Sequence, residues 1–237
     1  MTTILATCGG WRASPRAALE LSPLQTFAVE LAGVTGRSTR IGFIGTAGGD
    51  QRHVEADELI AARLAGLDAR HIRLFDRHDE DLRETVLNLD VVWVGGGSVS
   101  NLLAVWRVHG LDRILREAGA RGTVLAGSSA GAVCWHRGGP TSSFGPELSI
   151  ETNGLGFVDD SLAVHYDSQP RRRPLFHEAI ATGVLPGGYA VDEGAAVLYR
   201  DGRFVEAVTE QSSGRAYRVE RSGDRATEEP LATRLLS

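Results

Sequence analysis

Short runs rich in β-branched and other apolar residues recur along this chain, each stopped by glycine or polar positions: Thr3–Ala6, Ile41–Ile44, Ile72–Phe75, Val91–Val94, Val124–Ala126 and Leu162–Val164. Such runs between turn formers predict strands. Between them the apolar positions take a helical rhythm, first at Ala56, Leu59, Ile60, Leu64 and Leu67, then at Leu102, Leu103, Trp106, Leu111, Ile114 and Leu115. The alternation predicts an α/β fold, a doubly wound and mostly parallel sheet with helices on both faces. The last third changes character. Ala195–Tyr199 and Phe204–Val208 flank Arg200-Asp201-Gly202-Arg203, and Asp-Gly between apolar runs signals a hairpin. Ala216–Val219 and the stretch after Gly223-Asp224 suggest a second pair, so a small antiparallel C-terminal extension is expected. No repeat or Pro/Ser-rich linker divides the sequence, which reads as one domain over residues 1–237.

Composition narrows the function. With 42% hydrophobic residues the chain can bury enough surface to offset its ordering entropy, which excludes wholesale disorder. A formal charge of −5 repels a phosphate backbone, so nucleic acid is not an expected partner. No run approaches the ~18 apolar residues of a membrane span, and no basic residues precede the first apolar stretch as in a secretory signal. A cytoplasmic protein with no membrane association is expected. Cys8 and Cys134 are too few for a disulfide framework and form no C-x-x-C zinc pair. A reducing compartment fits, and neither metal nor cofactor is expected. A homodimer is the default guess for a soluble enzyme.

The strongest chemical signal follows the predicted strand Val124–Ala126. Gly127-Ser128-Ser129-Ala130-Gly131 is a G-x-S-x-G pattern between a strand and a helix-compatible run, the context of a nucleophile elbow. The glycines answer a steric need, because a side chain two residues either side of the bend would strike the neighbouring strand or helix. Ser129 at the bend would also meet unpaired N–H groups that favour charge on an attacked carbonyl oxygen. Ser128, at the variable position, reads as packing. A second cluster, Gly95-Gly96-Gly97-Ser98, follows Val91–Val94 and could aim backbone N–H groups at an oxyanion or other anion. Neither a Walker A motif nor a complete G-x-G-x-x-G is present.

With Gly95-Gly96-Gly97 and Gly-x-Ser-Ala-Gly-Ala ending strands in this order, and Val164-His165-Tyr166 further on, the sequence resembles the peptidase E family of serine peptidases from roughly Ile41 to Tyr199. Its best-known members are Asp-specific dipeptidases, cyanophycinases are relatives, and the fold is like that of class I glutamine amidotransferases. The resemblance implies Ser129 as nucleophile, His165 as general base and Glu193 as the acid that orients it, with Asp192 the next choice and Asp167 an assistant. Glu147, Glu151, Asp159 and Asp160 lie between Ser129 and His165 without a convincing motif. It also implies an oxyanion hole from the N–H groups of Gly96, Gly97 and Ala130. Arg171, in Gln169-Pro170-Arg171-Arg172-Arg173-Pro174, aligns with the arginine that pairs with the substrate's Asp carboxylate, and Ser98 stands where the family has a substrate-side Asn. Of the seven histidines only His165 sits just beyond an apolar strand in the right order; His53, His71, His78, His109, His136 and His177 read as surface residues. Cys134 is expected as a buried hydrophobe, while Cys8 borders the site with no base paired to it. The expected substrate is a short peptide with an N-terminal Asp. A β-linked aspartyl polymer, an ester, or non-catalytic binding of an anionic ligand are the alternatives.

Overall fold

The computed structural model describes residues 1–15, 17–76 and 81–237, and His78 lies outside them. Eight strands form the main sheet, in the order Thr233–Leu235, Arg203–Thr209, Ala195–Arg200, Thr3–Thr7, Val124–Ser128, Val91–Val94, Arg40–Ile44 and Asp68–His71. The last five of these run parallel, as the strand–helix alternation predicts, while Ala195–Arg200 runs antiparallel to Thr3–Thr7. Successive side chains on each central strand supply opposite faces. Ile4, Ala6, Val92, Val94 and Leu125 join a core with Leu102, Leu103 and Trp106 of the helix Val99–His109 and with Leu111 and Leu115 of Leu111–Ala120. Leu5, Val91, Trp93, Val124 and Ala126 pack on the other face with Leu24 and Ala28 of Pro23–Leu31 and Ala62 of Arg52–Leu64. Burial on both faces is why these strands read as unbroken apolar runs.

Three sequence readings need correction. Ile72–Phe75 is not a strand: the edge strand is Asp68–His71, whose alternate residues are solvent-exposed, and Ile72 and Leu74 enter the core just after it ends. Burial explains their apolar character, and Ile72 makes one last backbone bond to the neighbouring strand, its N–H donating to Phe43 O at 2.9 Å. The run at Leu162–Val164 is a strand over Ser161–Ala163, but it belongs to a separate four-stranded sheet with Gly188–Val191, Ala216–Ser222 and Arg225–Pro230. The C-terminal segments therefore divide. The hairpin turning at Asp201 (φ 48°) and Gly202 (φ 74°) extends the main sheet, whereas the hairpin of Ala216–Ser222 and Arg225–Pro230 completes the second. Finally, His71 and His136 are not surface residues. The His71 ring is buried against Glu58, with Nε2 to Oε2 at 2.5 Å. His136 is fully buried, with Nδ1 on Ala132 O at 3.0 Å and Nε2 on the Tyr199 hydroxyl at 3.1 Å, and burial lowers its pKa to about 4. Both ring nitrogens have partners, which makes the burial tolerable.

Among the described residues no helix is long and apolar enough to cross a membrane. What positions the chemistry is the carboxyl end of the parallel sheet, where Thr7 pairs with Ser128 and Val94 with Gly127.

Candidate active site

Ser129 follows the Val124–Ser128 strand at φ 55° and ψ −114°, then the chain turns into the helix Ala130–Val133. For a residue with a side chain this conformation costs about 1–3 kcal/mol and persists only where the surroundings enforce it. Here they do. A Cβ on Gly127 would stand 2.5 Å from Gly131 O, and one on Gly131 would stand 2.3 Å from Val94 O, so backbone meets backbone on both sides of the bend. Ser129 N–H donates to Thr7 O at 3.1 Å, and Ser129 O accepts from Ala132 and Val133 N–H at 2.9 and 3.0 Å. Ser128 Oγ accepts from Gly9 N–H at 3.2 Å, in keeping with its reading as packing.

His165 lies two residues beyond the Ser161–Ala163 strand, also at positive φ (56°), and its Nε2 is 2.8 Å from Ser129 Oγ. On the far side of the ring Nδ1 is 2.5 Å from Glu193 Oε1. A carboxylate there fixes the proton on Nδ1 and leaves Nε2 to accept from the serine hydroxyl. Glu193 is itself braced, since Oε1 accepts from Ser168 Oγ at 2.7 Å, its N–H donates to Asp167 Oδ1 at 3.0 Å and its carbonyl accepts from Gln211 Nε2 at 2.7 Å. The hydrogen bond from His165, helped by Ser168, outweighs partial burial and holds the Glu193 carboxyl at about 2. Asp192 does not reach the ring; it accepts from the Tyr217 hydroxyl at 3.4 Å, and burial raises its pKa. The other acids are engaged elsewhere: Glu147 with Arg171, Glu151 with Ser100, Asp159 with Arg137 and Asp160 with Arg218.

The glycine cluster comes up beside the serine. A Cβ on Gly96 would lie 3.2 Å from Ser129 Cβ, and one on Gly97, at φ 138°, would lie 2.2 Å from Ala47 O. Gly95 and Ser98 N–H groups are bonded to Ile44 O and Ala47 O, so those of Gly96 and Gly97 between them have no backbone partner among the described residues. Ser98 turns its hydroxyl to cap the helix Val99–His109, accepting from Asn101 N–H at 3.2 Å, while its neighbours Gly97 and Val99 line the cavity.

That cavity, of about 220 Å³, is lined by Ser129, His165, Thr141, Gln169 and Arg172 among others. Arg171 lies outside it, exposed, with Nη1 on Glu147 Oε2 at 3.2 Å, on the wall of an adjoining open depression. Arg172 is 4% exposed; its Nε donates to Gln169 Oε1 at 2.7 Å and its Nη1 to Pro140 O at 2.6 Å. Both partners are neutral, and burial lowers the guanidinium pKa. Arg173 departs in a third direction, onto Tyr166 and Glu228. A larger depression of about 570 Å³, lined by Arg40, Arg70 and Asp81, opens at the amino ends of the strands and contains none of these groups.

Cys134 is buried as expected, with Sγ on Gly131 O at 3.3 Å. Cys8 is a different matter. Its thiol lies 3.4 Å from His165 Nδ1 and 3.2 Å from Glu193 Oε2, and it accepts from His165 N–H at 3.2 Å, so it does meet the imidazole. The available signal was topological: Cys8 directly follows the strand paired with Val124–Ser128, at the same carboxyl edge.

The Bacillus subtilis (strain 168) protein described as uncharacterized peptidase YgaJ is 40% identical over 197 residues, spanning 83% of this chain and 85% of that one. Among solved structures, a peptidase from an acI-B1 Actinobacterium superposes with a TM-score of 0.69 at 17% identity, over 98% of this chain and 95% of the other. A candidate peptidase E protein from Listeria monocytogenes EGD-e gives 0.58 at 17% identity, over 98% and 100%. At that identity the structures attest the fold. The sequence model of peptidase family S51 matches residues 20–207, a span that contains the bend, the glycine cluster and the imidazole, and the chain belongs to that family.

Proposed function

We propose that this S51 peptidase is a serine hydrolase of short peptides, with Ser129, His165 and Glu193 as its triad and an N-terminal Asp as its favoured substrate residue. The observation that carries the reading is the unbroken run of contacts from Ser129 Oγ, at 2.8 Å from His165 Nε2, through the ring to Glu193 Oε1 at 2.5 Å from Nδ1. A serine hydroxyl is a poor nucleophile until an imidazole takes its proton. Ser129 attacks the scissile carbonyl, His165 receives the proton on Nε2, and ionised Glu193 stabilises the imidazolium. The N–H groups of Gly96, Gly97 and Ala130 receive the oxyanion. His165 then protonates the leaving amine, and water repeats the sequence on the acyl-enzyme.

Selectivity for an acidic residue is supported by Arg172, a buried cation at the cavity wall whose hydrogen-bonding partners are neutral groups. A buried charge whose hydrogen bonds go only to neutral groups is costly, and a substrate carboxylate would add a directly bonded counter-charge to the field of Glu193. Arg171, the residue that aligns with the family's arginine, is instead turned to Glu147.

Purified protein assayed on Asp-Leu, Ala-Leu, a β-linked aspartyl polymer and a p-nitrophenyl ester tests both parts. Asp-Leu should be the best substrate, and Ser129→Ala should lower its kcat by roughly 10⁴-fold or more with the melting temperature unchanged. A fluorophosphonate should label the wild type and not the variant. Full activity in Ser129→Ala refutes the triad, and preference for Ala-Leu or the ester refutes the specificity.

A further inference from the structure

Cys8 takes no part in the steps above, yet its fully buried thiol is pressed against two groups that do. Sγ, His165 Nδ1 and a Glu193 carboxylate oxygen all lie within 4.8 Å of one another, with Sγ to Nδ1 at 3.4 Å and Sγ to Oε2 at 3.2 Å. A tetrahedral ion bound at about 2.3 Å to sulfur and about 2.0–2.1 Å to nitrogen and oxygen needs ligand-to-ligand edges of about 3.3–3.6 Å. The two sulfur edges are already close to that range. With Oε2 as the carboxylate ligand, Nδ1 and Oε2 lie within 4.8 Å of each other, and the ring's hydrogen bond to Oε1, at 2.5 Å, is given up when the ion takes Nδ1. The His165 and Glu193 side chains are 22% and 39% exposed, which gives an ion a way in and leaves a position for water or the Ser168 hydroxyl as fourth ligand.

The same surroundings argue against a role for Cys8 in redox chemistry. Burial, then the Glu193 charge, push the thiol well above its ordinary range, so little thiolate is present to be oxidised. A dication inverts that balance, because thiolate and carboxylate together cancel its charge. We propose that Cys8 Sγ, His165 Nδ1 and Glu193 form an inhibitory binding site for a thiophilic divalent cation such as Zn²⁺. On binding, the thiol releases its proton to solvent, and the imidazole proton moves from Nδ1 to Nε2 as the metal takes the Nδ1 lone pair. Nε2–H then faces Ser129 as a donor and can no longer accept the hydroxyl proton. The inhibitory half rests on the serine-hydrolase reading; the binding half does not.

Titrating the full chain with Zn²⁺ by calorimetry, and with Cd²⁺ by ultraviolet absorbance, separates the two. One Zn²⁺ per chain and a thiolate-to-Cd charge-transfer band are expected. Cys8→Ser should abolish the band and weaken Zn²⁺ binding by at least about tenfold, Glu193→Gln should weaken it similarly, and Ser129→Ala should leave both signals in place. Zn²⁺ should suppress Asp-Leu hydrolysis reversibly by chelator, and Cys8→Ser, measured against its own zinc-free rate, should need at least about tenfold more. No band, or a band that survives in Cys8→Ser, overturns the site. Zinc binding through Cys8 in a protein that hydrolyses nothing leaves the site standing and overturns the serine-hydrolase reading. Hydrolysis inhibited equally in the wild type and Cys8→Ser overturns the inhibitory role.

Discussion

The bend at Ser129 and the arginine run at Arg171–Arg173, which reaches the same cavity through Arg172, are specified in different ways. At the bend, two glycines four residues apart face carbonyl oxygens of Gly131 and of the neighbouring Val94 that leave no room for a Cβ, so the glycine spacing marks the shape in the sequence. In the arginine run three identical side chains take three fates: Arg171 goes to solvent and Glu147, Arg172 into the cavity wall, and Arg173 onto Tyr166 and Glu228. Nothing in the residue types distinguishes them. Their directions follow from where the helix Arg172–Ala181 begins and what it packs on. Steric pattern is readable in one dimension; the choice among equivalent side chains is a tertiary decision.

The sharpest break in that comparison is a methyl group at the bend. In Gly131→Ala the new Cβ would stand 2.3 Å from Val94 O and 2.8 Å from Val94 Cβ, in the middle of the parallel sheet, with no flexible side chain able to yield. Overpacking costs about 1–3 kcal/mol where neighbours can shift, and a backbone clash belongs at or above the top of that range. A fall in melting temperature together with loss of measurable hydrolysis is expected from thermal unfolding and the Asp-Leu assay. A variant as stable and active as the wild type would mean that the bend is not sterically closed.

How far the sequence was legible divides along the same line. Val91–Val94 and Val124–Ser128, buried on both faces, announce themselves as apolar runs, and the glycine spacing marks Ser129 as the bend. The edge strand Asp68–His71 was missed because its residues alternate between exposed and only partly buried, while the apolar Ile72 and Leu74 beside it are core without being strand. Assigning Leu162–Val164 to the same pattern as the central strands failed to show that it founds a second sheet, since strand propensity carries no information about partners. His136 looked polar and exposed because its satisfying groups, Ala132 O and Tyr199, are 4 and 63 residues away. Cys8 escaped for the same reason, being 157 residues from the imidazole that it touches.

The arginine run supplies the next largest effects. Arg172→Met keeps an unbranched, flexible stem but removes the buried cation, and charge-assisted hydrogen bonds of this kind are worth about 1.5–3 kcal/mol. We expect kcat/KM for Asp-Leu to fall roughly 10- to 150-fold, with little change for Ala-Leu. Equal losses on both substrates would assign Arg172 to support of the cavity wall, through its bonds to Gln169 and Pro140, instead of recognition of an acidic side chain.

A smaller effect comes from Glu193, whose carboxyl is held at about 2 chiefly by the hydrogen bond from His165. Because the folded value lies below the ordinary one of 4.5, its contribution to stability is fully present above pH 4.5 and is lost as the pH falls towards 2. The difference in melting temperature between the wild type and Glu193→Gln should therefore shrink steadily from pH 5 to pH 3. A constant difference over that interval would show that the carboxylate is not engaged with the ring.

The smallest effect should come from Arg171→Ala, and it sharpens the comparison most directly, because it deletes the same functional group one residue from Arg172. The Arg171 side chain is 64% exposed and its partner Glu147 is 85% exposed, so their ion pair is screened by solvent and salt. Exposed pairs contribute about 0–1 kcal/mol, and alanine is at least as compatible as arginine with the start of a helix. Stability should change by less than about 0.5 kcal/mol in urea unfolding, and kcat/KM for Asp-Leu by less than about twofold. A loss comparable to that of Arg172→Met would mean that the substrate extends from the cavity into the adjoining depression lined by Ser142, Leu148 and Arg171, and that two neighbouring arginines share the recognition of its charge.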